Sequence, residues 1–252
     1  MRHVYAPDPG RLAVAALALG VALTLGAACA QTAALAPPAT PDLDIVAASV
    51  RYDAELDLLV FAVTVEGAAG GTVPVAAGRL DGAPVLAYAF PTTLDPAAVG
   101  FGPVDGVLTL AVTAHPDFDD TPLWDEDGDG DYDDDGLVFH THWVVLAPDD
   151  RVAGGLSVVE VADGADAVLP PTNPGMPMYM DSPGLSVVLD GATLRVLVPA
   201  WRVRGETSFA FDAVAAYLEV NTSDDARPML GVYQVYEVLS GDLSLPFEVT
   251  AR

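Results

Sequence analysis

The chain is built on a two-residue rhythm. Over residues 57–65 (DLLVFAVTV) the positions Leu59, Phe61, Val63 and Val65 fall on one side of an extended backbone. Over 107–114 (VLTLAVTA) Leu108, Leu110 and Val112 share one face, and Thr109, Ala111 and Thr113 share the other. The same alternation predicts strands at 45–52, 84–90, 137–146, 156–161, 185–189, 193–198, 214–221, 230–238 and 247–250. Gly70-Gly71, Asp81-Gly82, Gly154-Gly155, Asp163-Gly164, Asp190-Gly191 and Ser240-Gly241 separate them as turns, and Asp190-Gly191 between two apolar runs predicts a hairpin. No long stripe of 3.6-residue period interrupts the series; short helical pieces are expected near 96–99 and 211–216. About eleven strands in some 210 residues predict an all-β fold, an antiparallel β-sandwich with long loops.

Three stretches break the rhythm. Residues 1–30 read as a targeting segment, with Arg2 and Arg11 ahead of an apolar run from Leu12 to Ala28. Cleavage after Ala30 fits the small-x-small pattern of Ala28-Cys29-Ala30. Lipidation at Cys29 and retention of the run as an uncleaved anchor are the alternatives. Residues 31–42 (QTAALAPPATPD) form a Pro/Ala linker expected to be extended and mobile, so the folded domain is placed at 43–252. Within it, residues 117–136 and the Pro-rich 169–184 are the long loops, and loops of that length are usually functional.

Charge sharpens this picture. There are 36 acids against 10 bases, every base is Arg, and the net charge is -26. Such a surface repels phosphate backbones and anionic lipid, which argues against nucleic acid and leaves Cys29 as the one route to a membrane. An unknown extracytoplasmic ligand, carbohydrate or protein, is the expected partner, with Trp124, Tyr179 and Trp201 as candidate contacts. The lone cysteine excludes an internal disulfide, so an exported domain needs another staple, and a bound metal is one.

The acids gather at 125–136, where eight of twelve residues are Asp or Glu. Carboxylates this close repel within the ~8 Å screening length of physiological salt unless a cation joins them. Asp125, Asp127 and Asp129 alternate, Gly130 follows, Asp131 offers a carbonyl, and Asp133 and Asp135 come next; this spacing suits the six to eight oxygen ligands of calcium. The pattern D-x-D-x-D-G-x-x-D resembles the EF-hand-like loops of dockerins and thrombospondin type 3 repeats, and the resemblance implies calcium binding. It covers about a dozen residues, assigns the whole chain to no family, and departs at the twelfth position, where Gly136 replaces the closing Glu.

Three histidines flank that loop. His140 and His142 alternate in a strand and project from one face; His115 ends another strand. They are either donors that pin the loop through Asp117, Asp119 or Asp120, or ligands of a zinc or copper ion. Phe139-His140-Thr141-His142-Trp143 resembles the FHxHW segment of α-carbonic anhydrases, which implies zinc on both histidines. The family's third ligand lies further along the chain, and no histidine follows His142 here. Met176, Met178 and Met180 alternate in the Pro-rich loop, either as adaptable filler over the core or as soft ligands for Cu(I). Arg202 and Arg204 are expected to share a face and to pair with carboxylates.

No G-x-S-x-G, phosphate loop or dinucleotide fingerprint occurs, so catalysis has little support. The first expectation is therefore an exported calcium-binding β-sandwich with a binding or structural role in the periplasm, at the cell surface or outside the cell. A periplasmic copper or zinc protein using His115, His140 and His142 is the second. A zinc-dependent hydrolase or hydratase on the same residues is the third.

Overall fold

The computed structural model describes residues 35–121, 124–125, 128–130 and 137–251. The targeting segment and Asp127, Asp131, Asp133 and Asp135 lie outside the described residues. Alternation does produce strands almost throughout: β1 (Ile45–Asp53), β2 (Leu58–Val65), β3 (Pro84–Pro91), β4 (Val107–Ala114), β5 (His140–Pro148), β6 (Leu156–Val158), β7 (Met180–Asp181), β8 (Ser186–Asp190), β9 (Thr193–Pro199), β10 (Ala210–Phe211), β11 (Val214–Val220), β12 (Leu230–Val238), β13 (Phe247–Glu248) and β14 (Thr250–Ala251). The piece expected to be helical at 211–216 is extended, in β10 and β11. The one at 96–99 is a 3-10 turn, capped by Asp95, whose carboxylate accepts from the Ala97 amide. No helix among the described residues is long and apolar enough to cross a membrane.

Two layers form. One is an open sheet in the order β14-β1-β2-β9-β8, with β1–β2, β2–β9 and β9–β8 antiparallel and the short β14 parallel to β1. The other runs β4-β3-β11-β12-β6-β5 and closes through antiparallel β4–β5 pairing into a six-stranded barrel. β7 pairs with the free edge of β5 beside β6. Closure removes two sheet edges that an open layer would expose.

The period of two sorts side chains between two cores. Leu86, Tyr88 and Phe90 of β3 and Leu108, Leu110 and Val112 of β4 face the open sheet, where they meet Leu59, Phe61, Val63 and Val196. Phe61 stands edge-on to Phe90 at 5.4 Å and to Trp143 at 6.3 Å, joining the layers. The intervening residues Val85, Ala87, Ala111, Val144, Val214, Ala216 and Leu218 turn into the barrel. The barrel's inward residues are mostly small and the outward ones large, so the interior stays hollow.

Before β1, Leu35 and Ala36 pack beside Tyr217 and Tyr233, and the Tyr236 hydroxyl donates to the Pro37 carbonyl at 2.7 Å. The described part of the Pro/Ala linker is thus tied to the domain rather than free.

Candidate metal centre

His115, Asp120, His140 and His142 meet at one end of the barrel. Register makes this inevitable once β4 and β5 pair. Thr113 lies opposite His140 and Ala111 opposite His142, so both histidines project inward beside the inward row of β4, and His115 continues that row. The chain then curls back over the barrel end. Asp117 takes the left-handed conformation (φ 75°), which Asp tolerates better than most residues, and its carboxylate accepts from the amides of Ala77, Gly78 and Arg79. Phe118 stacks on the His115 ring at 4.0 Å. Asp119 accepts from the amide and hydroxyl of Thr121. Between these anchors Asp120 points inward.

Of the three carboxylates named as partners for the histidines, Asp120 is the one in the cluster. Asp117 is taken up instead by the amides of the distant 77–79 segment, and Asp119 by the nearby Thr121.

The four ligand groups are buried and each offers an atom within 4.8 Å of all the others. Asp120 Oδ1 lies 3.2 Å from His115 Nε2 and 3.0 Å from His140 Nε2; Asp120 Oδ2 lies 3.5 Å from His142 Nε2. The two Nε2 atoms of His115 and His140 are 3.1 Å apart. Tetrahedral ligands at ~2.0–2.1 Å from a zinc ion sit about 3.3–3.4 Å from one another, so these spacings need little adjustment around one ion.

Proton accounting points the same way. His140 Nδ1 donates to the Val138 carbonyl at 2.7 Å, so in the neutral ring its Nε2 carries a lone pair. That lone pair faces the Asp120 carboxylate oxygen, the His115 Nε2 and, at 3.4 Å, the Thr113 hydroxyl. Two acceptors at 3.0 Å repel unless a proton or a metal lies between them. His142 Nδ1 is held by the Ser182 hydroxyl at 3.1 Å, while its buried Nε2, directed at the cluster, lacks a hydrogen-bond partner. An outer hydrogen bond on Nδ1 with a free inner Nε2 is the arrangement of a ligating histidine.

Burial pushes the His142 imidazole down to about 3, against the pull of Asp120, so the ring is neutral at physiological pH and available as a ligand. Burial also opposes ionisation of Asp120, but the surrounding histidines outweigh it and hold the carboxyl well below the usual carboxylate range. Three imidazoles and one carboxylate are the donor types that suit a divalent transition metal.

The acidic loop is described only in part. Asp125 accepts from the amides of Gly128, Asp129 and Gly130, and both glycines have positive φ (78° and 92°). Three successive amides, at 128, 129 and 130, thus converge on the first carboxylate of the motif.

Of the three aromatic residues expected as contacts, two are exposed and one is packed inward. Trp201 is exposed and stacks with Arg202 at 5.3 Å; Trp124 is half exposed. Tyr179 instead packs on Phe101 at 5.9 Å, because it lies in the chain stretch that fills the barrel wall. Trp201–Arg204 is no strand: Ala200–Val203 form a 3-10 turn, so Arg202 and Arg204 do not alternate across a sheet, and Arg202 donates to the Pro183 carbonyl. Met178 and Met180 are buried in the barrel core, with Met176 against them. Ser182, which has no marked sequence context, supports His142. Its signal lay only in its nearness to β7, which pairs with β5.

Comparison with protein-family models, curated proteins and solved structures finds no match to this chain.

Proposed function

We propose that this protein binds one divalent transition-metal ion through His115, Asp120, His140 and His142, with Zn²⁺ the best fit to the donor set and spacing. The observation that carries the reading is the His140–Asp120 contact, where a lone pair and a carboxylate oxygen face each other in a buried site. Copper is the alternative within the same reading, since imidazole serves both ions. The ion would also cross-link β4, β5 and the returning loop in a chain that has one cysteine, Cys29. Elemental analysis tests this: purified protein carries about one zinc or copper per chain, and His140→Ala with His142→Ala abolishes it. Protein that stays metal-free after reconstitution with both ions would end the proposal.

The scaffold reads as a sandwich with one layer closed, and the N-terminal pattern supports export, with Cys29 lipidated or removed. Calcium binding by Asp125, Asp127, Asp129, Asp131, Asp133 and Asp135 is a second, separate reading, favoured by the spacing of the acids and by the three amides that converge on Asp125. In it, millimolar Ca²⁺ protects the 125–136 segment from proteolysis and EGTA exposes it. Equal cleavage under both conditions would remove calcium from the account. A binding role towards carbohydrate or protein, through exposed Trp124 and Trp201, belongs to this second reading.

A further inference from the structure

The barrel interior adjoins the four-residue cluster. Ala87, Ala89, Ala111 and Ala216 sit in one belt: Ala89 pairs with Ala111 and Ala87 with Ala216. Four methyl side chains in adjacent inward positions leave a chamber of about 90 Å³. Its wall is apolar, with Met176, Met180 and Phe118 among the aliphatic side chains, apart from Thr109, Thr113 and one end, where His115, Asp120 and His142 contribute. The opposite end is formed by Pro91, the exposed Val235 and the half-buried Leu243. Leu243 adopts a left-handed backbone (φ 57°), a strained conformation for a leucine, and its side chain packs on the barrel core.

We propose that this chamber is the binding site for a small, uncharged, largely apolar molecule whose single donor atom coordinates the metal. The inference rests on the metal reading above. Size sets one limit: the chamber is smaller than the ~150 Å³ that admits benzene, and holds on the order of three to four heavy atoms. Wall chemistry sets the second. An ionic group inside would meet aliphatic carbon on nearly all sides, and burying an unpaired charge is strongly unfavourable. The ligand cluster sets the third. Three of its four members line the chamber, and zinc-type sites can expand from four to five ligands. Besides the hydroxyls of Thr109 and Thr113, the polar place for a ligand in the chamber is the metal.

The test uses the full chain loaded with Co²⁺, whose spectrum reports its ligands, and two thiols of similar length. Ethanethiol is uncharged in solution; mercaptoacetate carries a carboxylate. On binding, the thiol sulfur forms a bond to cobalt and its proton passes to solvent, with no change in oxidation state. Ethanethiol is expected to produce a sulfur-to-cobalt charge-transfer band, and mercaptoacetate at equal concentration a band at least about 10-fold weaker. Ala216→Leu fills the chamber without touching a ligand group, and Ala89→Val is a smaller filling in case the first variant folds poorly. Either should keep one cobalt per chain and lose the ethanethiol band. Cobalt uptake with no thiol band, equal bands from both thiols, or an undiminished band in the filled variants would overturn the chamber proposal while leaving the metal site standing. Failure to take up cobalt at all would overturn both.

Discussion

His140 Nε2 and Asp120 Oδ1 lie 3.0 Å apart, and the hydrogen on the far side of the His140 ring is already committed to the Val138 carbonyl. The pair therefore calls for a proton or a metal ion between its atoms, and the second is the proposed occupant. Asp120→Asn keeps the shape and removes the charge. Zinc affinity, measured by chelator competition, should fall at least about 10-fold, and the zinc-induced rise in melting temperature should shrink with it. An unchanged affinity would show that Asp120 is a bystander.

Tyr88 joins the two layers near the start of the domain. Its buried hydroxyl donates to the Asp42 carbonyl at 2.7 Å and accepts from the Gly70 amide at 3.1 Å. Tyr88→Phe leaves both backbone groups without that partner, and should cost about 1–3 kcal/mol in denaturant unfolding with the m-value unchanged. A loss below a few tenths of that would mean water replaces the hydroxyl.

Glu219 is buried on β11, and burial raises its carboxyl above the ordinary range despite the Tyr217 hydroxyl that donates to it at 3.1 Å. A raised folded-state value means that the neutral form is preferred in the fold. Its contribution is fully present below the unfolded value and lost as pH rises through the folded one. Glu219→Gln keeps the acceptor for Tyr217 and should stabilise the protein by about 1 kcal/mol at neutral pH. The gain should vanish in acid, where the wild-type side chain is itself neutral.

Asp149 behaves in the opposite sense. Hydrogen bonds from Arg151, then Ser157, lower its carboxyl to about 2 against the cost of burial. A depressed value gives stability that is complete above the unfolded value of 3.8 and is lost as pH falls towards 2. Asp149→Asn should cost about 1 kcal/mol at neutral pH, a figure reduced for the exposure of Arg151, and nothing below pH 2. A constant deficit across that range would assign the effect to geometry rather than charge.

Much of the secondary structure could be read from alternation. β4 and β12 begin and end where the pattern placed them, β1, β2, β3, β9 and β11 differ by one residue at one end, and β8 is shifted by one residue at both. The failure at 211–216 has a physical reason. Ala-rich FDAVAA has no strong local preference, and pairing of Val214–Val220 with both β3 and β12 decided its conformation. The alternating HxH was also legible as two imidazoles on one face.

What the order of residues settled was local: a two-residue period dictates strands, the side each side chain takes, and the direction of the His140–His142 pair. It could not choose Asp120 over Asp117 and Asp119, three carboxylates within four positions whose neighbours look alike on paper. It also could not announce that the second layer closes, or that four alanines from β3, β4 and β11 form one hollow belt. Those facts depend on register between strands far apart in the chain, where a shift of one residue would send every histidine and alanine to the other face. Folding in three dimensions chose that register by burying the large residues between the layers, and the chamber with its charged end followed from that choice.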